Sequence, residues 1–154
     1  MNTQMPWRAQ EFAPLTPEKE RAWSKYTRWE RVYFPTYIGL SIEELRTGYA
    51  RLRLRFKPEL EQAAGFVHGG AIASLIDTCA VPAVGTYYDE HLDSLTLSFT
   101  VNYLKAVAGQ DAIGEAWVEQ GGRSVAFCRA EVRTEDGEPV ANASLVFRVL
   151  PKSR

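Results

Sequence analysis

The chain has 154 residues, 45% hydrophobic and 24% charged, with a formal net charge of −1 at pH 7. That length fits one domain with a core able to stand without disulfide or metal staples. The near-neutral charge argues against a partner held chiefly by charge, such as bulk nucleic acid or an anionic membrane. The only cysteines, Cys79 and Cys128, lie far apart in apolar surroundings and read as reduced core residues. The only histidines, His68 and His91, form no cluster with them, so no metal site is expected. No apolar stretch of secretory-signal type opens the chain, and no run approaches the roughly eighteen apolar residues of a spanning helix, so a cytoplasmic location is the default expectation.

Residues 1–14 read as an extended, proline-punctuated lead-in. Thr16 and Pro17 form an N-cap and first-turn pair, and Ala22, Trp23, Tyr26, Trp29 and Tyr33 recur at steps of three and four, which predicts an amphipathic surface helix. Acidic residues interrupt its polar face, which disfavours a membrane-surface anchor. From residue 37 the period becomes two, and "YIGLSIEELRTGYARLRLRF" predicts two strands joined near Thr47-Gly48. Ala50, Leu52, Leu54 and Phe56 alternate with Arg51, Arg53 and Arg55, so the arginines read as one solvated sheet face rather than an anion site.

Residues 57–67 form a loop into a helix that begins within "GFVHGGAIASLIDTCA". Pro82 should kink or weaken its last turns, and Gly85 is its natural stop. Four strand-like segments follow, "SLTLSFTVNYLKAV", "DAIGEAWVEQ", "SVAFCRAEVRTED" and "EPVANASLVFRVL", separated by turns at Ala108-Gly109-Gln110, Gly121-Gly122 and Asp136-Gly137. This predicts an α+β chain: an N-terminal extension over residues 1–36 with one helix, then a domain over 37–154. In that domain an antiparallel sheet wraps a long central helix.

At 100° per residue, Ile72, Leu75, Ile76, Cys79, Ala80 and Ala83 share one apolar stripe, and Asp77 falls on a flank with Gly70, Ala73 and Val84. A carboxylate beside a core costs several kcal/mol unless it has partners, so Asp77 needs a reason to be there. At the helix start, Gly69 and Gly70 supply N–H groups without intrahelical partners, where the dipole favours developing negative charge. Amide donors plus a carboxylate suit acyl chemistry; an exposed Asp after an ordinary Gly-Gly helix start is the alternative. About two turns, or roughly 10 Å, separate Gly70 from Asp77, too far for both to reach one reacting group. Two antiparallel copies of the helix would bring them together, so the chemistry predicts a dimer.

"GFVHGGAIASLIDTCA", together with "LSFTVNYLKAV" and "GGRSVAFCRAEV", resembles the hotdog-fold acyl-CoA thioesterases of the phenylacetate-pathway type, over about residues 37–150. The resemblance implies a hotdog fold and hydrolysis of an acyl- or aryl-CoA to free acid and coenzyme A. No cofactor is then needed, since coenzyme A is part of the substrate. It also implies a homodimer with active sites at the interface, assembled further into a homotetramer. Asp77 would activate water or attack the thioester, the Gly69 N–H would polarise its carbonyl, and Thr96 would help hold the water. His68 would order the turn or contact substrate, and Gly70 would bind substrate beside it. Gly122, Arg123 and Ser124 match the hairpin along the pantetheine arm. Arg123 and Lys105 are candidates for the phosphates or are ordinary surface cations.

One position departs from the family: Gln62 stands where the resemblance implies an Asn whose amide helps position the carbonyl or the water. The same amide on a longer arm would keep that catalytic role with shifted geometry, which puts efficiency and substrate class in question. Residues 81–88 and Phe66 are candidates to line the acyl pocket, and the N-terminal helix to cover a sheet edge or the pocket mouth. Two other readings are a non-catalytic acyl-CoA-binding module, which would usually accompany a DNA-binding region, and a dehydratase, which would want a His–acid pair. Neither companion feature is evident in the sequence.

Overall fold

Thr16 opens the first helix as expected: its hydroxyl accepts from the Lys19 N–H at 3.3 Å, and Pro17 begins α1, Pro17–Trp23. The computed structural model describes residues 6–151. Before α1, the lead-in is not wholly extended but makes a 3-10 turn at Arg8–Glu11. The helix expected to carry through Tyr33 stops at Trp23 and gives way to turns, with the Tyr26 N–H on the Trp23 carbonyl and Thr27 at φ +62°. The aromatics read as a helical stripe still stack edge to face in succession, Trp23–Tyr26–Trp29–Tyr33, at 5.3, 5.0 and 5.3 Å. Tertiary anchors override helix propensity here. The Tyr26 hydroxyl donates to the Thr78 carbonyl at 3.2 Å, and Thr27 Oγ1 accepts from the Ile42 N–H at 3.3 Å. A short helix, α2 (Phe34–Tyr37), then leads into the sheet.

The strands are β1 (Leu40–Arg46), β2 (Tyr49–Leu54), β3 (Leu92–Tyr103), β4 (Ala112–Gly121), β5 (Val125–Thr134) and β6 (Pro139–Pro151). They form one six-stranded antiparallel sheet in the order β1-β2-β4-β5-β6-β3. The sheet wraps the central helix α3, Gly69–Tyr87, which is the hotdog architecture expected. Ile72, Leu75, Ile76, Cys79, Ala80 and Ala83 are all buried against the inner sheet face, where Ala50, Leu52 and Leu54 of β2 meet them. By length and mean hydropathy (1.2) alone α3 equals a short membrane span, a resemblance not evident in the sequence reading; 56% of that window is buried inside the protein. A core helix meets the same two criteria.

The expected stop at Gly85 is not found: α3 runs through Pro82 and Gly85 to Tyr87. Pro82 has no N–H for the carbonyl four residues earlier, that of Thr78, and this is the carbonyl the Tyr26 hydroxyl occupies. At the last turn, Thr86 Oγ1 accepts from the Gly48 N–H at 3.1 Å, and Lys19 Nζ donates to the Thr86 carbonyl at 2.8 Å.

On the outer face the β2 arginines lie in an ion-pair lattice, Arg51 with Glu43 and Glu44, and Arg53 with Glu43, Asp111 and Glu135. Beneath the lead-in, Glu115 is fully buried and accepts from Tyr49 Oη and the Arg8 N–H, both at 2.9 Å, with the Arg133 guanidinium 3.5 Å away. Cys79 and Cys128 are both buried and free; burial pushes the Cys79 thiol up and raises that of Cys128 to about 12.

Candidate active site

His68 is the N-cap of α3, and its Nδ1 accepts from the Gly70 N–H at 2.8 Å. An accepting Nδ1 carries no proton, so Nε2 of the neutral ring bears it, on an imidazole that is exposed. Gly70 is required for this contact, because a Cβ there would come within 2.9 Å of Nδ1. The expectation of two open amides is corrected accordingly: His68 occupies that of Gly70. The Gly69 N–H has no acceptor among the described residues. Tyr103 holds this turn from the side, donating its hydroxyl to the Gly69 carbonyl at 2.9 Å with its ring 3.3 Å from where a Gly69 Cβ would stand.

Two turns further on, the half-buried Asp77 receives a hydrogen bond on Oδ1 from Thr96 Oγ1 at 2.7 Å. This is the partner that a carboxylate on the core's flank requires. Tyr26 is also a neighbour: burial raises its phenol, and the nearby Cys79 and Asp77 add to the rise. The register of β3 explains how one strand reaches both ends of the helix. Leu92, Ser94 and Thr96 pair with Pro151, Val149 and Phe147, and a bulge at Leu97 then moves Phe99, Val101 and Tyr103 to the same face, opposite Leu145, Ala143 and Ala141. Without that extra residue, Ser98, Thr100 and Asn102 would face the helix instead. Within one chain, Gly69 and Asp77 remain about 12 Å apart along α3, as eight residues of helix dictate.

The other residues singled out are scattered. Gln62 sits in an exposed turn whose backbone is closed by Gln62 N–H to the Phe66 carbonyl (2.8 Å) and Gly65 N–H to the Gln62 carbonyl (2.9 Å), with no hydrogen bond from its side-chain amide among the described residues. Gly122, Arg123 and Ser124 form the β4–β5 hairpin, with Gly122 N–H on the Val125 carbonyl and Val149 N–H on the Ser124 carbonyl. Arg123 lines a cavity of about 480 Å³ shared with Asp89 and Glu90. Lys105 pairs with Glu138 at 2.5 Å. Arg123 shares its cavity with Leu92, at the start of β3, and Lys105 follows its end, so roughly 35 Å of strand separates the two cations in one protomer. Phe66 is exposed, whereas Val81, Ala83 and Val84 pack on the core and Pro82 is buried. Among the described residues, no three His, Cys, Asp or Glu side chains are grouped to hold a metal ion.

Sequence reasoning passed over Tyr103 and Tyr26. Tyr103 has the wrong parity unless the bulge at Leu97 is known, and Tyr26 reads from its spacing as part of a helical stripe. The missing N–H of Pro82 was the available signal for Tyr26, since it implies a free carbonyl at Thr78 seeking a donor.

Comparison with known proteins identifies the family and the fold. The sequence profile described as the thioesterase superfamily matches residues 64–141. The medium/long-chain acyl-CoA thioesterase YigI of Salmonella typhimurium is 28% identical over 131 residues, 75% of this chain and 84% of that protein. A shorter match, 36% identical over 69 residues, spans only 45% of a Saccharolobus solfataricus protein provisionally named an esterase. Among solved structures, conserved protein PA5202 from Pseudomonas aeruginosa is similar at TM-score 0.74 and 32% identity, covering 78% of this chain and 95% of that one. PaaI from the phenylacetic acid degradation operon of E. coli superposes at TM-score 0.77 and 19% identity, over 88% of this chain and 97% of that one, a likeness of hotdog fold. From its helix-start turn to the beginning of β6, this chain belongs to the thioesterase superfamily.

Proposed function

We propose that the protein hydrolyses the thioester of an acyl- or aryl-CoA. The observation that carries this reading is the Thr96–Asp77 hydrogen bond, which orients a carboxylate on the flank of the core helix beside small residues. Water bound at Asp77 gives its proton to the carboxylate as its oxygen bonds to the thioester carbon. The C–S bond then breaks, and the coenzyme A thiolate takes up the proton on leaving. Direct attack by Asp77, with an anhydride hydrolysed in a second step, uses the same geometry. The Gly69 amide at the helix start suits the oxyanion that forms in either case. His68 fixes the turn through Gly70 and presents Nε2–H outward. Neither route calls on a cofactor. YigI, named as an acyl-CoA thioesterase, supports the substrate class.

The 12 Å between Gly69 and Asp77 requires a second copy, and β3 is the edge suited to it. From Ser94 to Leu104 this strand carries no charge, and Leu95 and Leu97 are 59% and 58% exposed. Antiparallel pairing of two β3 strands about Phe99, with the bulged Leu97 counted as extra, sets Thr96 opposite the partner's Val101 and Ser94 opposite the partner's Tyr103. All four face inward, so the pairing is compatible with the pleat. Asp77 then lies beside the turn that holds the partner's Gly69, and each dimer has two such sites. The same pairing carries Arg123 of one protomer toward Lys105 of the other.

Free-thiol release from a panel of acyl-CoAs tests the reading. Asp77→Asn is expected to lose more than a hundredfold in rate, the cost typical of one lost oxyanion donor being about 10²–10³. Mixing Asp77→Asn with Gly69→Val subunits should restore activity by forming one intact site per heterodimer. A wild type that binds acyl-CoA without turnover would make it a ligand-binding module, and an Asp77→Asn variant as fast as wild type would remove the carboxylate from the mechanism.

A further inference from the structure

A cavity of about 550 Å³ lies between the N-terminal extension, the second half of α3 and the start of β3. Trp23, Tyr26, Val81, Gly85, Leu92 and Ser94 line it, with Leu95 and Leu150 and the polar His91 and Asp93 also on its wall. Its volume falls within the roughly 300–1,000 Å³ usual for small-molecule pockets. Two rows of residues connect it to the candidate site. Along α3, Asp77, Val81 and Gly85 follow at steps of four on one side of the helix, covering about 12 Å. Along the inner face of β3, Thr96, Ser94 and Leu92 cover a similar length in the same direction. The Asp77–Thr96 hydrogen bond joins the rows at one end. At the other, the Trp23 indole rests on Gly85, so close that a Cβ there would come within 2.0 Å of the ring.

We infer that this slot takes the acyl group of the thioester, and that Trp23 and Tyr26 of the N-terminal extension form its wall and set the acyl length accepted. The inference rests on the thioesterase reading and adds its specificity determinant. The extension is tied down for this role rather than loosely appended. Lys19 bonds the Thr86 carbonyl, and the Tyr26 hydroxyl occupies the Thr78 carbonyl that Pro82 leaves free. Both anchors lie on α3 itself, so the wall keeps its distance from Asp77. Trp23 ends the slot where the helix has room for an indole but for no side chain of its own. A short slot closed by an aromatic ring suits an aryl or medium-length acyl group and opposes a long one.

The test is a chain-length series of acyl-CoAs, with an aryl-CoA, given to wild type, Trp23→Ala and Val81→Phe. Trp23→Ala is expected to raise the kcat/KM ratio of long over short substrates by about tenfold or more, the range a few methylenes command in an apolar pocket. Val81→Phe should move that ratio the other way. Unchanged ratios in folded variants, judged by circular dichroism, would overturn the assignment of the wall and leave the thioesterase reading intact. Should Trp23→Ala not fold, Trp23→Leu and Val81→Phe carry the same comparison. If wild type hydrolyses none of the series, the thioesterase reading fails, and the wall is judged by the Kd values of non-hydrolysable acyl-CoA thioethers. A preference that lengthens in Trp23→Ala supports it, and one that does not move refutes it.

Discussion

The two edges of the sheet are built on opposite principles. The β1 edge is seven residues long, bulged between Ile42 and Glu44, and its Glu43 and Glu44 are engaged by Arg51 and Arg53. The lead-in closes over its end, with Thr47 N–H on the Ala13 carbonyl. A short, charged, bulged and partly covered edge discourages another strand from pairing. The β3 edge is twelve residues long and has no charge from Ser94 to Leu104. It also carries the residues that touch the candidate site, Thr96 on Asp77 and Tyr103 on Gly69. An edge left open in this way is a liability in a monomer, which makes it intelligible as half of an interface. The contrast teaches that the edge in contact with the candidate site is also the one left unprotected.

The largest test of that contrast is to charge the open edge. Ser98→Lys with Thr100→Lys places four cations around the proposed two-fold at Phe99. The expected result is a monomer by sedimentation, with thioester hydrolysis reduced at least a hundredfold because each site lacks the partner's amide. A monomer as active as wild type would break the link between the edge and the chemistry. A smaller effect sharpens the role of the strand within one protomer. Thr96→Val keeps shape and removes the hydrogen bond to Asp77, a bond to a charged group worth about 1.5–3 kcal/mol, so kcat/KM should fall roughly ten- to hundredfold with the dimer intact. The smallest effect belongs to the protected edge. Glu43→Gln weakens two ion pairs there and should cost at most about 1 kcal/mol in denaturant unfolding, with oligomeric state and kcat unchanged.

Much of this was legible in advance. The switch from period three-to-four to period two marked where the sheet begins, and the Thr16–Pro17 pair marked the start of α1. The stripe from Ile72 to Ala83 identified the buried face of α3, and Asp77 stood out because its chemistry clashes with that setting. The misreadings share one cause, which is that a local pattern has more than one tertiary solution. Aromatics spaced by three and four suit a helix, but they suit equally a run of turns when Thr78 and Ile42 offer bonds to Tyr26 and Thr27. Gly85 ordinarily stops a helix, but here the next residue, Thr86, is bonded by the Gly48 N–H and by Lys19 Nζ, and α3 continues to Tyr87. Two glycines at a helix start offer two amides until a neighbouring imidazole folds back on one.

Periodicity, turn chemistry and one misplaced carboxylate were enough to determine the order of elements, the core helix and Asp77 as the residue in question, because each is written in the spacing of side chains along a short stretch. Only the tertiary structure decided that Thr96 bonds that carboxylate, that a bulge at Leu97 turns Tyr103 toward Gly69, and that one sheet edge stays open while the other is closed. Those outcomes depend on register and on contacts between residues far apart in sequence, where a shift of one residue reverses every face and no local pattern records the choice.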